Sequence, residues 1–111
     1  MSIILIPTNS NNQQAQVCFH FGKASHFAIY NTLTKQIRFI KNIVDHNNPQ
    51  KSAIAQLIEQ TKATIILAGQ IGEKAKRECK IHSCKICEGK QGNIQEIIKK
   101  YENEETNYSN T

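Results

Sequence analysis

The sequence predicts a single-domain α/β fold in which helices cover both faces of a mixed, mainly parallel five-stranded sheet. Three observations predict this class. The chain has 111 residues, which is the length of one small domain. Strand-like apolar runs come first, and helix-like and strand-like segments alternate from residue 48 onward. Because parallel neighbouring strands need crossover connections, the element order β-β-β-α-β-α-β-α places helices on both faces.

Three strands are predicted before the first helix. Residues 3–6 are a continuous Ile/Leu run ended by Pro7, which is typical of a strand buried on both faces. A polar, turn-rich loop follows at 8–16. Residues 27–30 predict the second strand, and the alternating residues 37–42 predict a third strand that is less completely buried.

The hydrophobic period becomes helical after residue 48. Asn48 is a favoured N-cap residue and Pro49 suits the first helical position, so this pair predicts the start of the first helix. Apolar residues at 54, 57 and 58 then share one helical face. The apolar segment 64–68 predicts the fourth strand, and the turn at 69–72 leads into a short second helix.

The last strand and helix set the expected end of the domain. A short fifth strand is predicted at 84–87. Positions 93 and 96 hold Asn and Glu, a capping-box-like pair, ahead of an apolar stripe that ends at Tyr101. We therefore expect an ordered domain over 1–101 and a polar, disordered tail over 102–111.

Composition excludes several classes of protein. The chain is 39% apolar, which is too much for a wholly disordered chain, and no apolar run approaches the roughly 18 residues needed to cross a bilayer. Its start lacks the basic segment of a secretory signal, so we expect a cytoplasmic protein. The net charge of +5 suits an anionic ligand, an acidic partner or nucleic acid. Nucleic acid is disfavoured because no aromatic-studded RNA-binding signature or recognition helix accompanies the charge.

Ligands of parallel α/β sheets bind beyond the carboxyl ends of the strands, which fall here after Pro7, at 69–72 and at 88–89. The loop after the first strand ends with Cys18, Phe19, His20, Phe21 and Gly22. A thiol and an imidazole two residues apart suit iron, copper, zinc or an iron–sulfur assembly, and a glycine permits close backbone approach. The alternative is a histidine that caps a strand and a cysteine buried as a small apolar residue.

The turn before the second helix is a candidate anion cradle. It consists of Gly69, Gln70, Ile71 and Gly72. Backbone amides from Gln70 to Glu73 at a helix start offer neutral donors and the positive end of a dipole. Nearby cations at 74, 76 and 77 add to that field. The alternative is a plain strand-to-helix turn.

Three cysteines match part of a plant-type ferredoxin spacing, Cys79-x4-Cys84-x2-Cys87, with Cys18 as the distant fourth. Cys79 lies on the inner face of the second helix, and Cys84 and Cys87 point to opposite faces of a strand. We therefore expect thiols that do not converge. A metal site and a redox pair remain alternatives, and a loop in place of the fifth strand would favour them.

Two segments together resemble a known family. Cys-Phe-His-Phe-Gly-Lys-Ala-x-x-Phe at 18–27 is similar to its His-Phe-Gly signature, and Gly-x-Ile-Gly-x-x-Ala at 69–75, with a strand ending in Glu-Gly at 88–89, is similar to its second half. The family is the dinitrogenase iron–molybdenum cofactor biosynthesis and binding family of the NifX/NafY type. The resemblance runs from about residue 3 to residue 101.

This resemblance implies a ribonuclease H-like fold and a non-enzymatic role in cofactor assembly related to nitrogen fixation. The cargo would be the iron–molybdenum cofactor, another iron–sulfur or molybdenum-containing cluster, or a precursor. His20 is implied as the primary ligand, with Gly22 shaping its loop. Cys18 is a candidate second ligand and His46 a third, a solvated loop histidine being the alternative at 46. The expected partners are cluster donor and acceptor proteins, and the expected state is a monomer or weak homodimer.

Two other classes of function stay open. One is an iron–sulfur electron-transfer or thiol redox-sensing protein that uses Cys79, Cys84 and Cys87. The other is a regulatory or scaffold module without a cluster. The sequence has no Ser-His-Asp context, nucleotide-binding loop or paired-carboxylate motif, and its one Asp cannot supply the carboxylates of phosphoryl transfer. We therefore expect no enzymatic activity.

Overall fold

A computed structural model describes residues 2–42 and 52–109, which form five strands, three α-helices and one short 3-10 helix at Phe21–Lys23. The strands are β1 (Ile3–Thr8), β2 (His26–Asn31), β3 (Gln36–Lys41), β4 (Ile65–Leu67) and β5 (Lys85–Cys87). The helices are α1 (Ala53–Thr61), α2 (Glu73–Ile81) and α3 (Ile94–Ser109). No helix in these described ranges is long and apolar enough to cross a membrane.

The five strands form one sheet in the order β3-β2-β1-β4-β5. β1 pairs with β4 and β4 with β5 in parallel, whereas β2 is antiparallel to both β1 and β3. Four strands therefore run in one direction, and β2 runs against them. The predicted mixed sheet and its order of elements are confirmed. The carboxyl ends of β1, β4 and β5 consequently meet at one edge.

The central strand β1 divides the core into two layers because successive side chains point to opposite faces. Leu5 packs in a buried cluster with α1 and α2, whereas Ile4 and Ile6 pack in a second cluster with α3. Burial of one such aliphatic side chain stabilises a fold by roughly 1.5–3 kcal/mol. The expectation of helices on both faces is confirmed.

Helix α1 begins later than the sequence predicts. Its N-cap is Ser52, whose hydroxyl accepts a hydrogen bond from the Ala55 amide at 3.2 Å. The backbone of Ser52 is extended, so α1 itself begins at Ala53 and not at Pro49 as predicted. Asn48 and Pro49 themselves lie outside the described residues.

Helix α3 continues beyond the predicted end at Tyr101 and reaches Ser109. It starts after Asn93, whose side-chain oxygen accepts from the Gln95 amide at 2.8 Å. One residue past the apolar stripe, Glu102 accepts a hydrogen bond from the Tyr30 hydroxyl at 2.9 Å and pairs with Lys35. These contacts hold the helix against β2 and the β2–β3 hairpin. The tail was predicted as disordered over 102–111; its residues through Ser109 are helical, and residues 110 and 111 lie outside the described residues.

Candidate functional site

The two sequence motifs meet at the carboxyl edge of the sheet. His20 and Gln70 form an isolated parallel bridge. In this bridge the Gln70 amide donates to the Phe19 carbonyl at 2.8 Å, and the Phe21 amide donates to the Gln70 carbonyl at 3.3 Å. The loop that carries the histidine is therefore attached by its main chain to the turn between β4 and α2.

Gly69 makes this attachment sterically possible. A Cβ atom built at Gly69 would lie 2.5 Å from Phe19 Cδ2, 2.8 Å from the Phe19 carbonyl oxygen and 2.9 Å from Phe19 Cα. Two of these atoms belong to the backbone and cannot move without breaking the bridge. Gly22 has no atom within 4 Å of its virtual Cβ, so the close approach expected there occurs at Gly69 instead.

The His20 side chain is exposed at this edge. Its ring contacts the Phe19 ring edge-on, with centroids 5.2 Å apart. Phe19 is itself 43% exposed, which is unusual for so large an apolar side chain. Within residues 2–42 and 52–109, no hydrogen bond to the imidazole is present. His20 is therefore an exposed imidazole beside an exposed aromatic side chain.

Cys18 is half-buried at the base of the same loop. Its amide donates to the Pro7 carbonyl at 2.8 Å, which fixes the residue at the end of β1. Its thiol points to the His20 carbonyl at 3.4 Å. The candidate third ligand, His46, lies outside the described residues. Among the residues that the structure describes, no group of three or more His, Cys, Asp or Glu side chains is arranged to hold a metal ion.

The predicted cradle of backbone amides is only partly available. The Gln70 amide is used in the bridge, and the Ile71 amide donates to the Glu88 carboxylate at 3.1 Å. Gly72 is the N-cap of α2 and provides no side-chain cap. The amides at the start of α2 have no intrahelical acceptor because they belong to the first turn of a helix. The amides of Gln70 and Ile71 were expected to donate to an anion, but both already donate within the protein. The amides at the N-terminus of α2 are the donors that remain for this role.

Glu88 is a site residue that the sequence analysis did not assign a role. One of its oxygens accepts from the Ile71 amide, and the other lies 2.9 Å from Lys76 Nζ. The Lys76 ammonium, followed by the Ile71 amide, lowers the pKa of Glu88. The hydrogen bond to Glu88 is also the main cause that raises the pKa of Lys76.

Lys76 was expected to add to the positive field of the turn, and this pairing with Glu88 offsets its contribution. It also lies 3.4 Å from a Glu73 carboxylate oxygen. Lys74 and Arg77 are exposed on the same helix. The Glu-Gly pair at the end of β5 was the available signal for Glu88, since an acidic residue at the carboxyl end of a parallel strand lies where ligands bind.

The three clustered cysteines do not form one site. Cys79 and Cys84 are buried in the cluster that contains α1 and α2, whereas Cys87 packs against the cluster on the α3 face. The expectation that the three thiols do not converge is confirmed. A three-thiol iron–sulfur centre therefore lacks its geometry, although Cys79 and Cys84 are neighbours.

Comparison with known proteins gives a family match and several structural matches. The family model described as dinitrogenase iron-molybdenum cofactor matches residues 2–104. The fold is similar to that of the apo form of the orange protein from Desulfovibrio gigas, with a TM-score of 0.79, 18% identity, and coverage of 93% of this chain and 88% of that chain. It is also similar to a Thermotoga protein described as a putative NifB protein of the DUF35 family, with a TM-score of 0.77, 22% identity and coverage of 93% and 89%. A search of the curated proteins finds no match. At these identities the two structural matches show the fold alone.

Proposed function

The chain belongs to the dinitrogenase iron-molybdenum cofactor family, and on that premise we propose that it binds an iron–molybdenum or related metal–sulfur cluster, or its precursor, as cargo. In this proposal the protein is a carrier or assembly accessory and not an enzyme. The observation that carries the proposal is the exposed His20 imidazole, which main-chain bonds to Gln70 hold beside the start of α2.

The ligand chemistry suits a cargo that must be released. An imidazole and a thiolate are intermediate and soft ligands for iron and other transition metals. A structural zinc site closes all four positions with protein ligands, whereas His20 and Cys18 would leave most positions of a cluster open to exchange. His20 is the primary ligand in this proposal, Cys18 the second, and His46 remains a predicted third.

The charge distribution supports an anionic cargo. Metal–sulfur clusters of this kind are anionic, and the chain carries a net charge of +5. The N-terminus of α2 supplies unpaired amides and the positive end of its dipole. The Glu88 carboxylate at this edge is paired with Lys76 at 2.9 Å and with the Ile71 amide, which offsets its repulsion of an anion.

The same premise extends to the fold and the cellular context. The family resemblance implies a ribonuclease H-like fold, and a mixed five-stranded sheet with helices on both faces is compatible with that assignment. A cytoplasmic location and contacts with cluster donor and acceptor proteins are part of the proposal, because a carrier must receive its cargo and pass it on.

Anaerobic reconstitution tests the proposal directly. The full chain is incubated with iron, sulfide and molybdate, desalted, and assayed by visible absorption and metal analysis. We expect a coloured protein, and we expect His20→Ala to bind at least about tenfold more weakly, since loss of even an outer-shell partner of a metal site typically costs 10–100-fold.

The matched control is His82→Ala. His82 is another exposed histidine, but it lies at the end of α2, 4.0 Å from Glu78. It should retain the wild-type absorption. Undiminished binding by His20→Ala would refute the assignment of the site. A wild-type chain that stays colourless with every cluster tried would favour the regulatory or scaffold alternative.

A further inference from the structure

Cys79 and Cys84 form a pair of thiols that the proposed cargo site does not use. Cys79 lies in the last turns of α2 and is 1% exposed, and Cys84 directly precedes β5 and is 6% exposed. The two residues are joined by four exposed residues, 80–83. The pair therefore lies just inside the surface, at the opposite end of α2 from the His20 site.

Main-chain geometry holds the two cysteines together. The Cys84 amide donates to the Cys79 carbonyl at 2.8 Å, and both side chains belong to one buried cluster. Ser83, which precedes Cys84, has a positive φ of 57°, so the chain reverses tightly between the end of α2 and β5. This reversal returns the second thiol to the first.

The two thiols are also chemically distinct. Contact with the Cys79 thiol lowers the pKa of Cys84, while burial opposes the change. The same contact and burial raise the pKa of Cys79. Cys84 is thus the thiol of this pair that ionises more readily, so we expect it to be the nucleophile.

The fold separates this pair from the other two thiols. Cys87 is only three residues from Cys84, yet it packs on the opposite face of the sheet. Cys18 lies on the His20 loop and directs its thiol to a main-chain carbonyl there. A local sequence argument would join Cys84 to Cys87, whereas the tertiary structure joins Cys84 to Cys79.

We propose that Cys79 and Cys84 are a dithiol that reacts with low-molecular-weight disulfides to form one intramolecular disulfide. The Cys84 thiolate attacks one sulfur of the small disulfide, which forms a mixed disulfide and releases one thiolate. The Cys79 sulfur then displaces the second small thiolate, which takes up the Cys79 proton. Two protein thiols are oxidised, and one small disulfide is reduced to two thiols.

The test uses the full reduced chain and oxidised glutathione as the probe, under anaerobic conditions. After an acid quench and alkylation, intact mass and peptide mapping identify the thiols that remain. We expect Cys79 joined to Cys84, with Cys18 and Cys87 alkylated. The alkylated product should therefore carry two alkyl groups, and the protein itself should be lighter than the reduced chain by two hydrogen atoms. Dithiothreitol should restore four alkylated thiols.

Two controls make the outcome decisive. Cys87→Ser should form the disulfide as the wild type does, and Cys84→Ala should not form it. The wild-type chain unfolded in urea should give a mixture that includes Cys84–Cys87, because only the folded sheet keeps those two thiols apart. Since the wild-type mapping stands on its own, the conclusion does not depend on the stability of a variant.

Several results would overturn the proposal. They are four alkylated thiols after prolonged exposure, a stable glutathione adduct in place of the internal bond, or a native-state disulfide that contains Cys18 or Cys87. None of these results bears on His20, so the outcome is independent of the reconstitution experiment.

Discussion

Substitution of Gly69 by alanine tests how the site is held together. The added Cβ would lie 2.8 Å from the Phe19 carbonyl oxygen and 2.9 Å from Phe19 Cα, so the loop that carries His20 must move away from the turn. Overpacking of this kind costs about 1–3 kcal/mol. Loss of the Gln70–Phe19 hydrogen bond adds about 1 kcal/mol to this destabilisation. Alanine also restricts the unfolded chain more than glycine does, which stabilises the folded state by about 0.4–1 kcal/mol.

The net expectation is a loss of about 2 kcal/mol in the free energy of unfolding. With a urea m-value of about 2 kcal/mol/M, the unfolding midpoint should fall by about 1 M. Gly22→Ala is the matched control on the same loop, because its Cβ has open space and should change stability by less than about 0.5 kcal/mol. The reasoning is refuted if Gly69→Ala is as stable as the wild type, or if the two variants lose the same stability.

Two further predictions concern ionisable side chains. Lys76 and the Ile71 amide lower the folded-state pKa of Glu88, so its contribution to stability is present above the ordinary value of 4.5 and is lost as the pH falls through the folded pKa. The difference in urea stability between wild type and Glu88→Gln should therefore shrink on acidification, and a difference independent of pH would contradict the pairing. Burial, followed by the hydrogen bond to Glu102, raises the pKa of Tyr30 to about 12, so stability should fall as the pH rises above 10.0. In an alkaline absorbance titration, Tyr30→Phe should lack the ionisation step that the wild type shows near pH 12. If the variant instead lacks part of the step near pH 10, the Tyr30 phenol is not buried.

The ends of two helices show where local patterns are insufficient. The Asn48-Pro49 pair resembles a helix start, but the Ser52 hydroxyl caps Ala55 and α1 begins at Ala53. The polar residues after Tyr101 resemble a frayed tail. Glu102 nevertheless bonds to Tyr30, which lies 72 residues earlier in the chain. A local pattern contains no signal for a partner at such a distance.

The candidate site also combines features that local sequence patterns indicate with contacts that only the structure shows. The His-Phe-Gly segment and the glycine-containing turn were both identifiable from their residue types, and their adjacency was expected only in general terms from the position of strand ends. The role of Gly69 was not identifiable from the sequence, because it depends on the close approach of the Phe19 backbone to the glycine. Glu88 was visible as an acidic residue, but its contacts with Ile71 and Lys76 join three separate segments.

The sequence by itself determined the order of strands and helices, the faces that their apolar residues bury, and the placement of a histidine loop at a strand end. These properties follow from hydrophobic period and turn chemistry, which act over a few neighbouring residues. Only the tertiary structure decided that His20 lies against Gln70, that Glu88 occupies the Ile71 amide, and that the Cys84 amide bonds to the Cys79 carbonyl. Such contacts depend on which strands become neighbours in the sheet, and that choice is made by the packing of the whole chain.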